Sequence, residues 1–250
     1  MAAVTVLFAA IGVAAGAALQ SATGFGFSLM AAPLLFAAVG PLEAVGALTV
    51  VGTVVNVLTI ATEGRRPRPS GHELRVLVAW ALPGALVGVA ILRALSAQAL
   101  QLALTAGIVL TLLVRWRAAR RAEPTHTPAW GGPLAGFAAG ALTTSTTTSG
   151  PPLITYLLGR ELEPSVLRDT VAVCFLTLGP IGAAALLLTG TTDAIPRLSL
   201  LAVLIPACVI GQVAGRPLFA RLAAGERYEP VLTFVLVISV AAGLIGTFTS

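Results

Sequence analysis

Seven hydroxyl side chains stand in a row from Thr143 to Ser149, followed by Gly150, Pro151 and Pro152. A second polar break, QSATGFGFS, occupies residues 20–28. Hydroxyl side chains compete for backbone hydrogen bonds and proline has no N–H to donate, so both stretches interrupt a helix. A new half-helix can start after each, near Ser28 and near Pro152. Helix N-termini carry unpaired N–H groups and about half a positive charge, which suits an anion. Gly24 and Gly26 let a ligand approach the backbone, and a proline in a first helical turn sacrifices no bond. The chemistry on offer is replacement of a small oxyanion's hydration shell by donors that carry no fixed full charge. The candidate binding residues are Gln20, Ser21, Thr23, Gly24, Gly26 and Ser28 from one break. The other break supplies Thr144, Thr146, Thr147, Thr148, Ser149 and Gly150. The alternative use of such residues is helix–helix bonding inside a membrane.

Other residues carry weaker signals. Asn56 and Gln212 are polar positions inside apolar runs, where they can line a pathway or bond between helices. Arg93 and Arg216 sit at span ends, as interface anchors or as collectors of anions at two entrances. Glu43 reads as a solvated first-turn carboxylate, and Trp80 as a packing residue. Cys174 and Cys208, the two cysteines, read as small buried fillers. No histidine falls deep in an apolar run, there is no H-E-x-x-H, and without lysine there is no Walker-type phosphate loop. No metal, cofactor or enzyme activity is expected.

The elements that hold these residues are apolar. Hydrophobic residues make up 57% of the 250, charged residues only 10%, and mean hydropathy is +0.96. Soluble domains carry about a quarter charged residues, so this chain belongs in a bilayer. Its apolar runs are near-continuous and about 20 residues long, the pattern of helices and not of barrel strands. Full spans are expected at 42–62, 71–93, 97–115, 168–189, 197–216 and 229–248. The two broken segments, 3–38 and 129–158, read as re-entrant pairs. The net charge of +5 comes with 15 arginines in short loops, which points to membrane topology and not to nucleic acid. If both broken segments are re-entrant, every arginine except Arg93 and Arg197 falls on one side, which is then cytoplasmic. Both termini then lie outside.

The chain matches itself at an offset of 123 residues. Pro41 meets Pro164, Pro83 meets Pro206, Gly88 meets Gly211 and Arg93 meets Arg216, and the two breaks superpose. The expected fold is an all-α polytopic membrane protein of two inverted-topology repeats, each a re-entrant broken-helix pair plus three transmembrane helices. The first repeat spans 1–118, a cytoplasmic linker 119–128 and the second repeat 129–250. Inverted repeats with broken helices are an architecture of secondary transporters.

TGFGFSLMAAPLL (23–35) and SGPPLITYLLGRELEPSVLRDT (149–170) resemble the TauE/SafE sulfite-exporter family of membrane permeases, also described as TSUP, over essentially the whole chain. The resemblance implies export of sulfite, organosulfonates or related sulfur anions across the cell inner membrane. The Gly24/Gly26 break matches one family motif; Gly150-Pro151-Pro152 with Tyr156 and Arg168 matches the other. Second-half motifs in that family often hold more glycine than the Thr143–Ser149 run.

The reading that follows is a secondary transporter exporting a small sulfur oxyanion through a midplane site, driven by membrane potential and open to a proton carried by the substrate itself. Alternatives are a thiol–disulfide electron carrier using Cys174 and Cys208, and a passive anion channel. The expected partners are a small anionic substrate and the lipid bilayer, with no nucleic acid; a homodimer is an open alternative.

Overall fold

The computed structural model describes residues 3–24, 26–120, 128, 130–160 and 162–224. Among them all regular structure is helical. The helices are α1 (Ala3–Thr23), α2 (Phe27–Val39), α3 (Pro41–Ala61), α4 (Gly71–Ala94) and α5 (Ala97–Arg120), then α6 (Gly131–Ser145), α7 (Gly150–Leu158), α8 (Pro164–Leu188) and α9 (Leu198–Ala224). A 3-10 turn at Thr192–Ala194 precedes α9. Among the described residues four stretches are long and apolar enough to cross a bilayer: Pro41–Ala61, Gly71–Ala94, Pro164–Leu188 and Leu198–Gly215. The chain is a polytopic membrane protein. The expected span at 97–115 falls in α5. The span expected at 229–248 lies outside the described residues.

Local signals set the boundaries. Pro41 and Pro164 open helices where a missing N–H is harmless. Gly40 and Gly190, with φ near +81° and +68°, supply the turns after α2 and α8. Leu82, Leu86, Leu188, Ile210 and Val213 point outward, as lipid-facing side chains do. Trp80 joins this outer surface, contrary to the packing role expected of it, because its helix turns the opposite face, with Leu77, Ala81 and Gly84, inward.

Both broken segments fold back on themselves. A Cβ on Gly16 would lie 2.5 Å from the Phe27 carbonyl oxygen, and one on Gly12 would lie 2.6 Å from the Leu34 side chain, so α1 and α2 run antiparallel. Likewise a Cβ on Gly132, at the start of α6, would lie 2.8 Å from the Tyr156 hydroxyl in α7. Each hairpin's first limb then packs against a long helix from the other half of the chain. Gly84 and Gly88 of α4 meet the carbonyls of Phe137 and Ala141 in α6; Gly211 and Gly215 of α9 meet Ala14 and Ala18 in α1. Both pairs are parallel, and small residues let their backbones touch. Between them α3 and α8 run antiparallel, Thr49 beside Gly182 and Thr53 beside Gly179.

Polar ties hold the two ends of the bundle. At one end Arg65 donates two hydrogen bonds of 2.7 Å to Asp169, the Arg68 backbone N–H donates to the same carboxylate, and Arg168 pairs with Glu63. The Asp169 carboxylate accordingly raises the Arg65 pKa. At this end Glu73 also accepts from the Tyr156 hydroxyl at 2.5 Å and from Arg160 at 2.9 Å. At the opposite end Arg197 grips Glu43, and Arg93 donates to the Thr189 carbonyl. Glu43 is therefore a buried, paired carboxylate and not the solvated one expected from its place in a first turn.

Candidate functional site

The two breaks face one cavity of about 80 Å³. From the first hairpin it receives Gln20, Gly26, Phe27, Ser28 and Leu29; from the second, Thr143, Thr147, Thr148, Ser149 and Gly150. The helices α3 and α8 close it with Thr49, Gly52, Thr53 and Asn56 and with Phe175, Leu178 and Gly179.

The geometry follows from where each helix stops. Gly26 takes φ near +102°, a left-handed conformation open to glycine, and starts α2 with no side-chain cap. The first-turn N–H groups of α2 thus begin at the cavity wall. Helix α7 starts at Gly150 beside the same cavity, also without a side-chain cap. Between α6 and α7 the chain turns at Thr147, the one described residue other than glycine with positive φ, near +60°. A β-branched side chain is strained there, by about 1–3 kcal/mol. Its hydroxyl donates to the Thr146 carbonyl at 2.7 Å. Thr147→Gly is expected to raise the melting temperature, since strain relief outweighs glycine's entropy cost of about 0.5–1 kcal/mol. Thermal unfolding of the two proteins checks this.

Asn56 is tied to the first break. The Gln20 side-chain amide donates to Asn56 Oδ1 at 2.6 Å, joining α1 to α3 at the cavity edge. None of the described lining residues is charged. Arg168 lies beside the first break: its Nε would be 3.8 Å from a Cβ on Gly24.

Several residues expected at the site lie elsewhere. Thr144 is fully buried and donates to the Ala85 carbonyl of α4 at 2.8 Å. Thr146 bonds Thr148 at 2.7 Å from outside the wall, and Ser21 donates to the Ala18 carbonyl. Gly24 borders Arg168 and not the cavity. Of Gln212, Nε2 donates to Thr59 at 3.0 Å while Oε1 is buried without a partner among the described residues; it joins α9 to α3. Arg93 lines a separate hollow of about 320 Å³ with Asp193, Thr191 and Leu100. The side chains of Thr23 and Arg216 lie outside the described ones. Cys174 and Cys208 are free and belong to different buried clusters, so they form no dithiol pair.

Thr49, Gly52, Thr53, Phe175 and Gly179 were not foreseen. The signal for the first three was present: T-x-x-G-T-x-x-N over 49–56 places small and polar residues on one helix face together with Asn56.

The family profile described as Sulfite exporter TauE/SafE matches residues 8–244. No curated protein and no solved structure matches the chain.

Proposed function

The chain belongs to the TauE/SafE sulfite exporter family, and from that premise we propose that it is a secondary transporter expelling a small sulfur oxyanion through the cavity between its two broken helices. One observation carries the reading: the N-termini of α2 and α7 border the same uncharged cavity. Two helix ends supply positive potential without a cation that would hold the ion too tightly. The volume narrows the substrate. About 80 Å³ is well under the roughly 300–1,000 Å³ of pockets that hold drug-sized ligands. It suits sulfite better than an organosulfonate with a carbon chain.

The packing supports two inverted repeats. Exchanging α1 with α6 and α4 with α9 carries one parallel pair onto the other, and the antiparallel pair α3/α8 sits between them. Arg65, Arg68, Arg160 and Arg168 gather at the end opposite Arg93 and Arg197. This favours a cytoplasmic side at the first end, in a plasma-membrane protein with both termini outside.

Expelling one negative charge from a negative interior is favoured by about 2.3 kcal/mol per 100 mV. Proteoliposomes loaded with sulfite are expected to lose it faster when an imposed potential makes the lumen negative. Flux indifferent to the potential, or equal to that of protein-free vesicles, contradicts the proposal.

A further inference from the structure

We infer that the ion carried is the monoprotonated oxyanion, hydrogensulfite, and that the cavity recognises its hydrogen as well as its charge. The inference rests on the transporter reading above and deepens it.

The observation is where the hydroxyl hydrogens go. Thr49 donates to the Val45 carbonyl, Thr53 to Thr49, Thr143 to Ala139 and Thr147 to Thr146, all at 2.7 Å. All four residues line the cavity. A hydroxyl has one hydrogen and two lone pairs. With the hydrogen spent on a backbone carbonyl, any of these oxygens that a ligand reaches is an acceptor only. The donors that remain are the Asn56 amide, the second N–H of the Gln20 amide, Ser28, Ser149, the first-turn N–H groups and the Thr148 hydroxyl wherever Thr146 is the donor in their shared bond. Pro151 and Pro152 remove two of the N–H groups at α7. The cavity is thus a mixed donor and acceptor surface, not the donor-only cradle that the hydroxyl count suggests.

A fully deprotonated sulfite brings acceptors alone. It would set its oxygens against lone-pair surfaces and place two negative charges in a cavity with no cation among its described lining residues. Hydrogensulfite brings one hydrogen for an acceptor and one charge fewer, and both changes suit this wall. No protein group need titrate. The lining residues from α1, α2, α3, α6, α7 and α8 include no Asp, Glu, His, Cys, Tyr, Lys or Arg. Arg168, beside Gly24, is paired with Glu63; Glu73, Tyr156 and Arg160 pair with one another at the far end of α7. The proton then leaves with the anion, so export needs no carboxylate relay.

The test is sulfite flux through the full chain in proteoliposomes, at fixed total sulfite and fixed potential. The pH series brackets sulfite's second ionisation, and the leak of protein-free vesicles is subtracted. The expected rate follows the hydrogensulfite fraction, falling about tenfold per pH unit on the alkaline side. Chlorate is the control for charge: it is a pyramidal monoanion with no hydrogen, and it is expected to compete at least about tenfold more weakly than hydrogensulfite, the worth of one hydrogen bond. A rate flat in pH or rising with the dianion, or chlorate competing as well as hydrogensulfite, overturns the inference. No sulfite flux at any pH overturns the transporter reading instead.

Discussion

Asn56→Asp is expected to cut sulfite flux at neutral pH by about 10- to 100-fold while leaving the protein folded. The substitution keeps shape. Asn56 already accepts from Gln20 through Oδ1, and a carboxylate oxygen accepts the same bond. What changes is charge, placed on the wall of the cavity. Two like charges about 4 Å apart repel by roughly 4 kcal/mol at an effective dielectric of 20, on the order of a thousandfold in affinity. Burial favours the neutral acid and takes back part of that effect, hence the smaller expected loss. The same argument fixes the sign with pH. As pH falls the introduced carboxyl takes up its proton, so the ratio of wild-type to variant flux should shrink toward one. Initial rates over a pH series check it; a ratio near one at all pH values places the anion elsewhere.

Gly88→Val together with Gly140→Val is expected to abolish the folded protein. The helices α4 and α6 touch backbone to backbone along four glycines. A Cβ on Gly88 would lie 2.2 Å from both the Ala141 carbonyl oxygen and the Thr144 hydroxyl oxygen; one on Gly140 would lie 2.1 Å from the Ala81 carbonyl. These are rigid backbone atoms, so relief requires the helices to part. Overpacking costs about 1–3 kcal/mol per site and more where nothing can yield. Two such sites on one interface consume most of a typical stability of about 5–15 kcal/mol. Parting also removes the best acceptor of Thr144, the Ala85 carbonyl at 2.8 Å, and leaves only the longer contacts of 3.4 and 3.5 Å within its own helix. The readout is the amount of monodisperse protein extracted from membranes. Gly71→Ala is the control: a Cβ there meets nothing within 4 Å, and yield should not change.

The two breaks were legible because they are contrasts, polar runs inside apolar ones. Which hydroxyls face the cavity was not. Helix α6 continues through Ser145, so Thr143 and Thr144 are still helical residues and point about 100° apart. One reaches the cavity and the other reaches α4. Seven hydroxyls in a row give no periodicity from which to choose. The pairing of Glu43 with Arg197 was hidden for another reason: the partners are 154 residues apart and meet only through the fold. Helix existence, by contrast, follows from backbone that must satisfy its own hydrogen bonds in lipid, and that requirement is written in the apolar runs themselves.

An anion held between the two breaks should stabilise the folded protein, and thermal unfolding with and without sulfite measures that gain. Sulfite at about 100 times its dissociation constant should stabilise the wild type by about 2.7 kcal/mol. Asn56→Asp and Thr148→Val, both on the wall, should lose most of that gain. Thr144→Val, whose hydroxyl is turned to the Ala85 carbonyl, should start from a lower melting temperature yet keep the sulfite increment. Equal increments in the wild type and Asn56→Asp, or loss confined to Thr144→Val, would contradict a binding site in this cavity.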